Sequence, residues 1–208
     1  YYVEDKDGNP YLVYGSFFGG IYLKELNADG TAVDNDTSGL LTDYYGTLLA
    51  RRETNALDGP EGASIIYNED TGYYYLFLSY GYLGDTYDIR VARSEEITGP
   101  YVDYAGNTKT ASGQVTTGTK LAASYQFTAS SPGGSEQPYV DDNWSWNGFI
   151  GPGHGEPFYD DTTDTWYFAG HVRDGAECYK TVDNDQETWY MHYLSIRQLV
   201  WVDGWPTL

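Results

Sequence analysis

Ile65-Ile66-Tyr67-Asn68-Glu69-Asp70-Thr71-Gly72-Tyr73-Tyr74-Tyr75-Leu76-Phe77-Leu78-Ser79 is the stretch that decides the fold. β-Branched and aromatic residues run into an Asn-Glu-Asp-Thr-Gly turn and out again, the pattern of a β-hairpin. The same unit occurs earlier, as Tyr2-Val3-Glu4-Asp5-Lys6-Asp7-Gly8-Asn9-Pro10-Tyr11-Leu12-Val13-Tyr14-Gly15-Ser16, and later, from Pro157 to Gly170. A third strand is expected after each hairpin, over 20–26, 87–94 and 190–197, and a fourth over 46–51, 119–124 and 204–208. Helix periodicity is nearly absent. Repeated four-stranded antiparallel units are the sequence mark of an all-β propeller. The units span about 1–52, 61–124 and 149–208, with the polar insertion 128–147 expected as a surface loop and a second loop over 175–187. Three units cannot close a ring without leaving apolar faces open. The chain is therefore expected to be the C-terminal part of a larger propeller.

The charge excludes some partners. Lys and Arg number 11 against 31 Asp and Glu, a formal net charge of −20 over 208 residues. Phosphate backbones and anionic membrane surfaces require clustered cations, so neither is expected as a partner. Neutral ligands and hard cations such as calcium are compatible with this balance, which also serves solubility. No apolar stretch reaches the length of a membrane-spanning helix. The single cysteine, Cys178, allows no internal disulfide and does not fix the compartment. The 23 Tyr, 7 Phe and 6 Trp suit either stacked sheets or sugar-stacking surfaces, and composition does not separate the two.

Glu61 is the first candidate for chemistry. It lies in Gly59-Pro60-Glu61-Gly62-Ala63-Ser64 and opens a short apolar strand. A carboxyl at the inner end of a sheet is placed for proton donation, because burial raises its affinity for the proton. A solvated turn glutamate is the alternative reading of the same pattern. Asp58 is too close along one turn to flank a sugar with it, and receives no role.

Several stretches together resemble glycoside hydrolase family 43, and within it the bacterial endo-1,5-α-L-arabinanases. They are Tyr11–Leu23, Glu61–Ile66 with Tyr73–Ser79, Ile89–Ser94 with Gly99–Tyr101, Gly151-Pro152-Gly153-His154, and Ile196–Leu199 with Asp203–Pro206. The resemblance implies a five-bladed propeller of which this chain supplies about three blades. It implies inverting hydrolysis of α-1,5-linked arabinan, with an Asp base, a pKa-tuning Asp and a Glu acid. Only the acid carries over, onto Glu61. Both aspartates are expected in a segment ahead of Tyr1, so this chain alone is expected to be inactive.

The resemblance also implies that His154 supports a channel cation, calcium, held largely through waters. Glu156 is a further oxygen donor or a loop carboxylate. Ser16, Phe17 and Phe18 fall where a sugar-stacking ring is expected, with packing between blades as the alternative. His171 and Arg173 resemble a His-x-Arg pair near the cleft, or else form a solvent-facing strand end. The sequence departs from the family pattern at Ala63-Ser64 and Gly155-Glu156, which bears on substrate preference. Exo-acting arabinofuranosidases or xylosidases of the family, and a non-catalytic carbohydrate-binding propeller, are the alternative functions. A secreted or periplasmic location is expected.

Overall fold

The computed structural model describes residues 1–33, 45–52, 59–83, 86–110, 117–126, 128–130, 136–138, 148–174, 181–182, 186–187 and 192–208. Every hairpin anticipated from an acidic turn forms. The first sheet contains β1 (Tyr2–Glu4), β2 (Pro10–Gly15), β3 (Ile21–Glu25) and β4 (Thr47–Ala50), paired in chain order. The second contains β5 (Glu61–Asn68), β6 (Tyr73–Tyr80), β7 (Asp88–Ser94) and β8 (Thr119–Ala123), again in chain order. All pairings in both are antiparallel. Between these sheets and the third lie β9 (Tyr125–Gln126), β10 (Thr128–Ser130) and β11 (Glu136–Pro138). The third sheet is built on β12 (Gly148–Asp160) and β13 (Thr165–Asp174). After them come the short pair β14 (Thr181–Val182) and β15 (Gln186–Glu187), then β16 (Tyr193–Gln198), β17 (Val200–Val202) and β18 (Trp205–Thr207).

Two expectations change. The third sheet has the order β16-β13-β12-β9, so its fourth strand comes from the segment before it and not from 204–208. Gly204–Leu208 instead belongs to the hairpin β17–β18, which reaches back to the second sheet. The Gly204 carbonyl accepts hydrogen bonds from the Tyr75 hydroxyl (2.6 Å) and Arg93 Nη1 (2.8 Å), and Arg93 lies between the rings of Tyr73 and Trp205. These contacts pull the last strand away from β16. Within 128–147, β10 and β11 form a two-stranded ladder where a loop was expected, and 175–187 likewise contains the pair β14–β15. Cys178 and Asp58 lie outside the described residues.

Period-two alternation explains how the sheets stack. Strand β6 is buried on both faces. Its even residues Tyr74, Leu76, Leu78 and Tyr80 join a core with Val3, Val13, Ile21, Leu23 and Leu49 of the first sheet. Its odd residues Tyr75 and Phe77 join Phe168, Leu199 and Trp205 on the other side. The continuous aromatic run of β6 is thus the signature of a central sheet with a neighbour on each face. The Phe77 and Phe168 rings meet with centroids 5.7 Å apart. This stacking sets the starts of β5 and the middle of β12 side by side.

Candidate active site

Glu61 opens β5 opposite Ser79 of β6, and a register shift follows before Ser64 pairs with Phe77. Such a bulge re-aims the side chains of a strand end. Two serines then staple the neighbouring β12 to this end of the second sheet. Ser79 Oγ accepts from the His154 backbone N–H at 2.8 Å, and Ser64 Oγ donates to the Gly155 carbonyl at 3.3 Å. β12 has shifts of its own between Ile150 and Gly153 and between Gly153 and Glu156. His154 sits in the shifted stretch with φ of 43°, a left-handed conformation that costs a non-glycine residue about 1–3 kcal/mol and tends to occur at functional sites.

Two glycines make the approach possible. A Cβ on Gly62 would stand 3.1 Å from His154 Cα, so Gly62 lets β5 and β12 touch beside Glu61. A Cβ on Gly153 would stand 2.0 Å from the Tyr87 ring, so the ring occupies the space that a side chain would fill. The Tyr87 hydroxyl donates to Glu61 Oε1. Its ring stacks on His171, the residue paired with Gly153 across the sheet, at 5.7 Å between centroids and 11° between planes. Burial first, then the hydrogen bond to the Glu61 carboxylate and its charge, push the Tyr87 phenol far above its usual range. Tyr87 therefore stays a donor throughout the working pH range.

His171 continues the chain of contacts. Its Nδ1 lies 3.0 Å from His192 Nδ1, with the rings at 74°. Burial, then His192, His154 and Arg173, lower the His171 pKa from 6.5 to about 4. Burial and Arg173 lower that of His192 as well. Both rings are thus neutral near pH 7, where one Nδ1 carries the hydrogen and the other accepts it. The three histidines of the sequence all line one cleft of about 860 Å³, together with Glu61, Ser16 and Glu156.

Glu61, His154, His171 and Ser16 come together in the cleft. Phe17 lies beside Ser16 in a 3-10 turn whose backbone N–H donates to Pro60 O at 2.8 Å, but it is not among the residues lining the cleft. The Phe18 side chain lies outside the described residues. Arg173 is 3% exposed and does not line the cleft; its guanidinium donates to the Leu83 carbonyl and anchors the segment that leads to Tyr87. Among the described residues, no three His, Cys, Asp or Glu groups converge to hold a metal ion.

The model of the family "Glycosyl hydrolases family 43" matches residues 1–131. The chain belongs to glycosyl hydrolase family 43. It is 34% identical over 215 residues to the "Extracellular endo-alpha-(1->5)-L-arabinanase 2" of Bacillus subtilis (strain 168), covering 97% of this chain and 39% of that protein. The crystal structure of the endo-1,5-alpha-L-arabinanase from Thermotoga petrophila RKU-1 superposes with a TM-score of 0.73 at 33% identity, over 99% of this chain and 41% of that one. The Cellvibrio cellulosa alpha-L-arabinanase complexed with arabinohexaose gives 0.67 at 26% identity, over 99% of this chain and 55% of that one. The chain thus spans about two-fifths to just over half the length of these relatives.

His192 and Tyr1 line the cleft and Tyr87 holds Glu61 from behind it; sequence reasoning places Tyr82–Tyr87 in a cleft-edge loop but assigns no role to any of these three side chains. One signal was present for Tyr87. Gly153, paired with His171 across the sheet, lies within a strand and has no turn to make, and such a glycine marks a close approach. Nothing local marks His192 or Tyr1.

Proposed function

We propose that this family 43 protein hydrolyses α-1,5-linked arabinan with inversion, and that Glu61 is its general acid. The observation that carries the reading is the Glu61 carboxyl held at the cleft by the Tyr87 hydroxyl. Because Tyr87 always donates to Oε1, the proton to be delivered resides on Oε2. Glu61 gives that proton to the leaving glycosidic oxygen as the bond to the anomeric carbon breaks. A water activated by a second carboxylate attacks from the opposite face, which requires about 6.5–9.5 Å between the two carboxyls. We assign that base to a part of the protein outside this chain, as the resemblance implies.

In the same reading the three stacked sheets are blades of a five-bladed propeller, and the cleft is the mouth of its central channel. The relatives named extracellular support secretion. Among the described residues no group of His, Cys, Asp or Glu forms a calcium site by itself: calcium takes six to eight oxygens, and His154 offers a ring nitrogen. A channel calcium at His154 is proposed only as a mostly water-coordinated ion, and no chemical step passes through it. In the complete protein, added calcium should raise the melting temperature and a chelator lower it, with the shift reduced in His154→Ala. An equal shift in the variant removes His154 from the site.

The decisive experiment is Glu61→Gln in the complete protein. Turnover on arabinan should fall by about 10²–10⁴-fold, the usual share of a general acid. An aryl arabinoside with a good leaving group should lose much less. Near-full activity of the variant on arabinan would overturn the assignment.

A further inference from the structure

A second cleft of about 760 Å³ lies at the opposite end of the second and third sheets. Glu61 begins β5, whereas Asn68 ends it and lines this second cleft. Seven residues of strand at about 3.3 Å each put the two clefts roughly 20 Å apart. Its walls are aromatic. Tyr159, 46% exposed, meets Trp166 with centroids 5.3 Å apart, and Trp166 meets Trp201 edge-on at 6.0 Å. Tyr159 is held in place because its hydroxyl donates to Asp164. The Trp201 indole Nε1 is buried without a hydrogen-bond partner among the described residues. Asp70 and Asp164 stand exposed at the rim.

We propose that this cleft is a second, non-catalytic binding site for a neutral polyhydroxylated chain, and that it holds arabinan remote from the bond being cut. Rings that are fixed and partly exposed present faces and edges to the C–H surfaces of sugars, and carboxylates accept from their hydroxyls. An apolar ligand would leave those carboxylates desolvated without partners. A polyanion is repelled by a chain of net charge −20. The choice of arabinan rests on the catalytic reading above.

The test compares polymer retention with hydrolysis of a short substrate, in the complete protein. Migration through a native gel containing arabinan is measured in a Glu61→Gln background, so that the polymer is not digested. Tyr159→Ala and Asp70→Asn are each added to it. Tyr159 is an exposed residue at the end of β12 and Asp70 an exposed turn residue, so both substitutions spare the cores. Losing an aromatic anchor should weaken retention by roughly tenfold. With Glu61 intact, kcat/KM on arabinotriose, too short to reach from one cleft to the other, should stay within about twofold. Unchanged retention overturns the inference, as does an equal loss on arabinotriose, which would mean the substitutions act through the fold. Hydrolysis of arabinan by a parent protein that the polymer does not retard would sink the second site and leave the catalytic reading standing. Retention lost in Tyr159→Ala, in a protein that never cleaves arabinan, would sink the catalytic reading alone. Capture by oligolysine in place of arabinan would give the cleft to a basic partner and overturn the inference.

Discussion

Tyr87→Phe isolates what a single hydroxyl does for Glu61. The ring stays: it is 2% exposed, fills the space above Gly153 and stacks on His171, so the phenylalanine has the same box to occupy. The donor to Glu61 Oε1 is lost, and with it the hydroxyl's hydrogen bond with Ser79. A hydrogen bond to a charged group contributes about 1.5–3 kcal/mol. Glu61 is only half-buried, so water can replace part of that in the ground state, and stability should fall by about 1 kcal/mol. Catalysis should suffer more. An unpinned carboxyl samples rotamers that do not face the leaving oxygen, and small misplacements cost up to about 10²-fold. We expect kcat on arabinan to drop by about 10- to 100-fold with KM little changed, because Tyr87 acts on the acid and not on the sugar. The assay is steady-state hydrolysis of arabinan beside an aryl arabinoside, whose good leaving group needs little protonation and should be nearly spared. An equal loss on both substrates would mean that Tyr87 serves binding or folding. Retention of kcat on arabinan within twofold would refute the positioning argument outright.

The hairpins were legible in the sequence because each acidic turn lies between runs that alternate strictly enough to fix a strand. Tyr73–Tyr80 carries large apolar or aromatic side chains on both parities, with Ser79 the exception, and is covered on both faces. The last strand was misread for a physical reason. Gly204–Leu208 looks like the closing strand of its own unit, but Tyr75 and Arg93, more than a hundred residues earlier, take the Gly204 carbonyl. No local pattern reports a partner so distant. The site divides the same way. Glu61 and His154 stood out because glycines next to a charged or ionisable side chain are conspicuous in a β sequence. Tyr87 did not, since it is one of 23 tyrosines and its role depends on the void at Gly153 across the stack. Arg173 looked like a ligand-facing cation two residues after His171, and alternation should have put both on one face. It is buried on the Leu83 carbonyl instead.

Two further outcomes follow from the same geometry. Gly153→Ala drives a methyl to 2.0 Å from a ring already backed by His171, so ring or backbone must move. Stability should fall by about 1–3 kcal/mol by denaturant unfolding, and kcat on arabinan at least as far as in Tyr87→Phe; wild-type values for both would show the strand relaxes freely. The second concerns pH. His171 is held to about pKa 4 against 6.5 in the unfolded chain, by burial first and then by His192, His154 and Arg173 beside it. In that window the unfolded chain binds the extra proton, so stability rises with pH; the contribution is complete above about 6.5 and is lost as pH falls through about 4. His192 shifts in the same direction, and protonating both rings would set two Nδ1–H donors against each other across 3.0 Å. The imidazole resonance of His171, followed by NMR, should therefore titrate near pH 4. The pH dependence of unfolding should flatten between about 4 and 6.5 when His171 is replaced by Phe, which keeps a ring for Tyr87 to stack on. A His171 midpoint at 6.5 or above, or an unchanged slope in His171→Phe, would mean that the pair is charged in the native cleft and that His171 is not the neutral wall against which Tyr87 and, through it, Glu61 are set.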